Sequence, residues 1–269
     1  MQIYGNQSSQ DRLRALLSPT SRVQTIVLAG PSHIGKASFA TMLISELLEE
    51  SDFTIVDSGI AGSRKAASFL SLEPTFSSYR IVMVDRAESM SEPAQDAYLK
   101  LCEEPPGAAR IIFITSDDKA MLPALRSRIQ EVIRWASLTE VEIETYTSSL
   151  DGVRDLDAEE FCLGRPGLYL AMAGDRRFKE LFEAAQCLAS GHGSFDLPVP
   201  EAIKSLEGKA SPRRTAVAEV CRIASKTLVG DSFNRLRCAS ILRFSSSILR
   251  HPSANAEVYW QRAVVSCLL

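Results

Sequence analysis

Five short apolar runs mark the first half of the chain, and stretches with helical spacing separate them. Thr25-Ile26-Val27-Leu28-Ala29 is apolar throughout and stops at Gly30-Pro31. Phe53 to Asp57, Arg80 to Asp85, Arg110 to Thr115 and Glu131 to Trp135 are runs of the same kind. A strand with no polar alternation is buried on both faces, as in a parallel sheet covered by helices. Between the runs, Phe39, Met42, Leu43, Leu47 and Leu48 recur at helical spacing, with Glu46, Glu49 and Glu50 on the other side. Further helices are expected at Arg12 to Leu17, Ser63 to Leu72, Ala94 to Glu103 and Met121 to Ser127. Strands alternating with helices predict an α/β domain with a parallel five-stranded sheet.

Past Ser137 the strand signal disappears. Short helices are expected at Glu140 to Leu150, Asp157 to Leu163 and Leu168 to Ala173, the last two separated by Gly164-Arg165-Pro166-Gly167. From Phe178 onward the pattern is helical, most clearly over Thr215 to Leu228 and Asn234 to Leu249. The expected organisation is an α/β domain over 1–136, a helical lid over 137–176 and an all-α domain over 177–269.

Composition narrows the function. The 269 residues carry a net charge of −3, so any contact with nucleic acid must come from a local patch. No apolar stretch reaches the ~18 residues of a membrane span. The start of the chain lacks the basic and apolar regions of a signal peptide, so a cytoplasmic protein is expected. Six cysteines are scattered without a C-x-x-C pair, which predicts reduced thiols and no metal site.

The first apolar run leads into Gly30-Pro31-Ser32-His33-Ile34-Gly35-Lys36-Ala37. This fits the phosphate-binding loop G-x-x-x-x-G-K-[ST] except at its last position. Such a loop wraps phosphates with backbone N–H groups, places a lysine on the β/γ-phosphates and holds Mg²⁺ through a hydroxyl. Gly30, Gly35 and Lys36 serve the first two needs. Ala37 has no oxygen for the third, although Ser38 follows it. Asp85 ends the third run, where a P-loop NTPase keeps its Mg²⁺-organising acid; capping the next turn is the plainer role. Arg86 follows, and an arginine cannot accept a proton from water.

Downstream, Ala94-Gln95-Asp96-Ala97-Tyr98-Leu99-Lys100-Leu101-Cys102-Glu103-Glu104-Pro105-Pro106 precedes Ile112-Phe113-Ile114-Thr115 and Leu122-Pro123-Ala124-Leu125-Arg126-Ser127-Arg128-Ile129. In this order, behind a P-loop, the segments resemble the AAA+ clamp-loader family, most of all its bacterial DNA polymerase III delta-prime branch. There the helix reads like N-A-L-L-K-x-L-E-E-P-P, and a Ser-Arg-Cys block follows the sensor strand. The resemblance covers roughly residues 3 to 175.

The resemblance implies a P-loop AAA+ domain, a lid and a helical collar in a hetero-oligomeric ring with motor ATPase subunits and a delta-type subunit. The sliding clamp and primer–template DNA would be reached through that complex. It implies that Arg128 is an arginine finger, reaching in trans to the γ-phosphate held by a neighbour; a solvated pair with Arg126 closing a helix is the alternative. It places Thr115 at sensor 1, although threonine also commonly ends a strand. It places Ser63, Arg64 and Lys65 near the phosphodiester backbone, although exposed charges there are equally ordinary. Gly167 occupies the slot of the sensor 2 arginine, with Arg165 offset by two. The family's zinc module is missing, because Ser51 to Gly62 contains no cysteine.

Three positions thus depart from a hydrolysing site: Ala37, Arg86 and Gly167. The expected function is a non-hydrolysing, stator-like clamp-loader subunit, holding ATP or ADP without turnover if it holds nucleotide at all. The alternatives are an active ATPase with a displaced metal ligand at Ser38, and an AAA+-derived interaction module of a phage or mobile element.

Overall fold

The computed structural model describes residues 3–150, 159, 162 and 164–174. The expected helix at 157–163 falls largely outside these residues, and the collar at 177–269 falls wholly outside them. The chain divides into two compact units, Met1–Leu168 and Tyr169–Leu269.

Within the first unit, five strands form one sheet. They are β1 (Thr25–Ala29), β2 (Phe53–Val56), β3 (Arg80–Val84), β4 (Ala109–Thr115) and β5 (Glu131–Arg134). All pairings are parallel, in the order β2-β3-β4-β1-β5. The helices are α1 (Gln7–Leu16), α2 (Lys36–Leu47), α3 (Ile60–Leu70), α4 (Glu92–Glu103), α5 (Pro123–Ser127), α6 (Glu140–Ser148) and α7 (Pro166–Gly174). The three central strands are buried at every residue. The edge strands are not: Ile55 on β2 and Val132 on β5 are each more than two-fifths exposed. This is the burial that covering helices on both faces produce.

Two apolar clusters lie on opposite faces, as the two-residue period of a strand requires. Ile26 and Leu28 of β1 join Leu13, Phe39, Leu43 and Trp135 in one. Val27 and Ala29 of the same strand join Ala66, Tyr98, Phe113 and Leu125 in the other. Parallel strands end at the same side of the sheet. The loops after β1, β3 and β4 therefore gather there, the place where open α/β sheets bind ligands.

Two helices start three or more residues before the sequence expectation. α1 starts at Gln7 rather than Arg12, because Asn6 adopts a left-handed conformation and its side chain pairs with both backbone groups of Ala136. α3 starts at Ile60 rather than Ser63. The Asp57 carboxylate accepts from the Gly59 amide, turning the chain into the helix three residues early.

A buried ionic hub holds the 73–77 loop between α3 and β3. The Asp52 carboxylate accepts the backbone N–H groups of Thr75, Phe76 and Ser77 at 2.7, 2.9 and 2.8 Å. Arg80 lies 3.5 Å from it, donates to the Glu73 and Phe69 carbonyls and stacks over the Phe69 ring. Burial alone would push the Asp52 carboxyl upward. The three amides outweigh that and hold it at about 2.

Candidate nucleotide site and interface arginine

β1 runs straight into the glycine loop. The Gly30 N–H donates to the Thr115 carbonyl at 3.2 Å. Its φ is 151°, and a Cβ there would sit 2.2 Å from the Trp135 carbonyl oxygen, so only glycine fits. His33 and Gly35, at φ 64° and 94°, complete the turn into α2, whose first residue is Lys36. Strand, left-handed turns and helix start form the cradle in which successive N–H groups can point at an anion.

Lys36 is 5% exposed. Its ammonium donates to the Gly30 and Pro31 carbonyls, both at 2.7 Å. Burial lowers its pKa to about 8, against the opposing pull of the Glu88 and Asp85 carboxylates. A desolvated ammonium over a glycine loop fits a phosphate group. The fit to Mg²⁺ is poorer: Ala37 is half-buried against the α1–α2 side of the core, and Ser38 is exposed one position further along the helix. Among the described residues, no group of three or more metal-ligating side chains converges.

Asp85 follows β3, tied by its N–H to the Val56 carbonyl at 3.2 Å. Arg86 is left-handed at φ 50°, with its N–H on Asp85 Oδ1 at 3.0 Å and its side chain three-quarters exposed. After that turn Glu88, partly exposed, reaches across to the loop after β4. Its two carboxylate oxygens accept from the Ser116 amide at 3.2 Å and the Ser116 hydroxyl at 2.8 Å.

Thr115 stands at the end of β4 as expected, but the residue is 1% exposed and its hydroxyl donates to the Asp117 carbonyl at 2.9 Å. The exposed hydroxyl on this loop is Ser116. Glu88, two residues beyond Arg86, is set too far along the turning backbone to stand in directly for the missing catalytic glutamate, and its pairing with Ser116 has no signal in the sequence. The two meet because β3 and β4 are neighbours in the sheet.

Gly164 accepts from the Leu138 amide at 2.7 Å, and Gly167, in the first turn of α7, meets the loop. The Gly167 N–H donates to the His33 carbonyl at 2.9 Å, and a Cβ on Gly167 would lie 3.0 Å from that oxygen. Arg165 is buried, and its Nε donates to the Cys162 carbonyl at 3.2 Å.

Away from the loop, Arg128 follows α5. Its side chain is half exposed and pairs with Glu103 at the end of α4. Arg64 and Lys65 are exposed on α3. Ser63 is not: its hydroxyl is buried and donates to the Ile60 carbonyl at 2.9 Å, a consequence of the early helix start. The serine therefore drops out of any phosphate-facing group, and the two basic residues remain.

Residues 58–136, which hold Asp85, Glu88, Glu103 and Arg128, match the family model for the DNA polymerase III delta subunit. Over 70 residues the chain is 34% identical to the DNA polymerase III subunit gamma/tau of Mycobacterium tuberculosis and of Mycobacterium bovis. That match spans 26% of this chain and only 12% of those relatives. Among solved structures, a DNA polymerase III gamma subunit-related protein of Thermotoga maritima superposes with a TM-score of 0.52. It is 14% identical, over 97% of this chain and 98% of that one. The RuvB Holliday junction branch migration motor of the same organism gives 0.51, at 15% identity over 97% and 87%. The fold is of the AAA+ kind. The loop after β1, the acid after β3 and the turn after β4 lie at the same end of the sheet and carry Lys36, Asp85 and the Glu88–Ser116 pair. Among the described residues no helix is long and apolar enough to cross a membrane.

Proposed function

We propose that this chain is a stator-like subunit of a cytoplasmic DNA polymerase III sliding-clamp loader, without ATP turnover of its own. It offers Arg128 to the nucleotide of a neighbouring motor subunit, in a ring that also includes a delta-type subunit. The observation that carries the reading is a division of labour within one domain. The phosphate cradle and Lys36 persist, while Ala37 has no hydroxyl and Arg86 follows the strand acid. Yet Arg128, which contributes nothing to the chain's own loop, is held out half exposed. ATP or ADP can lie on the loop as a structural ligand through backbone N–H groups and Lys36, with no zinc.

The test is ATP turnover. The purified chain shows none above background, and Lys36→Ala changes nothing. In a complex reconstituted with the gamma/tau subunit of its source, Arg128→Ala slows hydrolysis at the shared interface by about 10³-fold or more, the scale of an arginine finger. Unchanged turnover removes the finger assignment.

A second reading is favoured by one observation: Glu88 lies in the field of Lys36 and holds the Ser116 hydroxyl. A carboxylate there, with Ser38 in place of the missing metal ligand, would serve a displaced ATPase site. Hydrolysis by the isolated chain that Lys36→Ala and Glu88→Gln both abolish would establish it.

A further inference from the structure

The contact between Arg128 and Glu103 is one-sided. The Arg128 Nε and one Nη2 proton both go to the same oxygen, Glu103 Oε1, at 3.1 and 3.0 Å. A guanidinium has five N–H donors in a planar fork. Two are spent on Glu103, on the Nε side. Of the remaining three, one on Nη2 and one on Nη1 lie on the outer edge of a side chain that is 51% exposed.

Both ends of this contact are anchored in the core. Glu103 closes α4, whose Ala94, Tyr98 and Cys102 are buried on the sheet. The Arg128 N–H donates to the Leu125 carbonyl at 3.0 Å, and the Arg128 carbonyl accepts the hydroxyl of the buried Thr25, at the start of β1, at 2.9 Å. Its neighbour Ser127 turns its own hydroxyl back to the Ala124 carbonyl at 2.7 Å, out of competition for Glu103. An unrestrained arginine loses about 2 kcal/mol of rotamer freedom when it is fixed on a phosphate. An arginine already gripped along one edge has lost part of it before a partner arrives.

We infer that Glu103 is a positioning residue for Arg128, holding the guanidinium by its Nε edge so that the Nη1 edge is presented to an anionic oxygen of a partner. The inference rests on the proposed role of Arg128. It assigns a task to the first glutamate of Glu103-Glu104-Pro105-Pro106, a segment the sequence reading used only as a signature. The carboxylate also neutralises the arginine in the free subunit, so that an exposed cation does not collect unrelated anions. An exposed pair of this kind costs little to strain when the outer edge docks.

Two measurements separate this inference from the reading beneath it. In the isolated chain, NMR of the arginine side chains reads Arg128 Nε–Hε directly. Its order parameter and protection from exchange fall in Glu103→Ala and are largely restored in Glu103→Gln, which keeps an acceptor oxygen. In the complex with the gamma/tau subunit, Glu103→Ala lowers ATP turnover by about 3- to 10-fold with unchanged nucleotide affinity, and Glu103→Gln recovers most of it. Reduced turnover in Arg128→Ala with full turnover in Glu103→Ala overturns the positioning role and leaves the finger standing. Faster turnover in Glu103→Ala overturns it too, since Glu103 would then restrain the arginine rather than aim it. Unchanged turnover in Arg128→Ala overturns both.

Discussion

The Gly167 amide donates to the His33 carbonyl at 2.9 Å, so the first turn of α7 closes directly on the phosphate-binding loop. A side chain at position 167 would start 3.0 Å from that oxygen. Replacing the glycine to restore a sensor arginine therefore pushes the two segments apart instead of completing a site. Gly167→Arg is expected to cost about 1–3 kcal/mol in denaturant unfolding, the scale of overpacking, and to leave the isolated chain without ATP turnover. A gain of hydrolysis would show that the segment can retreat from the loop without loss.

Lys36 titrates near 8 because burial disfavours its charge. Above that pH the ligand-free ammonium is mostly neutral. A phosphate placed beside it restores the charge, so binding takes up a proton. ATP affinity is expected to fall as pH rises through about 8. Calorimetry at pH 8.5 in two buffers of different ionisation heat should reveal uptake of a fraction of a proton, and that uptake should vanish in Lys36→Met. Identical heats in both buffers would mean that the phosphates do not reach this amine.

The Asp52 hub predicts acid sensitivity. Its folded pKa of about 2 lies below the ordinary carboxylate value, so the native state is stabilised by the ionised form. The contribution is full above about pH 4 and is lost as pH falls from there toward 2. A shift of this size corresponds to about 2 kcal/mol. Asp52→Asn leaves buried Arg80 without its counter-charge and should cost about 3–5 kcal/mol at pH 7, with a flatter stability profile between pH 2 and 4. Urea melts across that pH range give both quantities.

Tyr98 is buried with no hydrogen-bond partner for its hydroxyl, and its ring packs edge-on against Phe113 at 5.4 Å. It stands where the resembling helix pattern carries leucine. An apolar slot has thus received an oxygen that it cannot satisfy. Tyr98→Phe keeps the ring contact and removes the oxygen, so the variant should be more stable by about 1 kcal/mol. Loss of stability would mean that the hydroxyl has a solvent partner inside the fold.

The sheet was legible because its evidence is local. Each strand announces itself as a short run dominated by apolar residues, and glycine or proline punctuates where the chain turns. The glycine loop and the Glu103–Arg128 region were legible for the same reason: both are contiguous patterns. Contacts between separate turns left no such trace. Glu88 reaches Ser116 only because β3 and β4 are neighbours. The burial of Ser63 depends on a helix start set by the Asp57 carboxylate, which apolar periodicity does not register. Thr115 illustrates a different limit. Its place at the strand end was readable, but the direction of its hydroxyl is decided by a turn two residues later.

Asp52 holds the 73–77 loop through backbone amides, so the path of that loop is written some twenty residues upstream of it. The Thr75 hydroxyl also accepts from Arg80, and the Ser77 side chain adds its own contact to Asp52, but Phe76 is gripped through its main chain alone. Any residue with an N–H can therefore replace Phe76 without changing the loop's course, and only proline is barred. Phe76, three-quarters exposed, sits on a rigid perch whose side-chain lettering is open to drift. A saturation library at 76 should keep nearly every non-proline variant folded, while a far smaller share survives at 52 and 80.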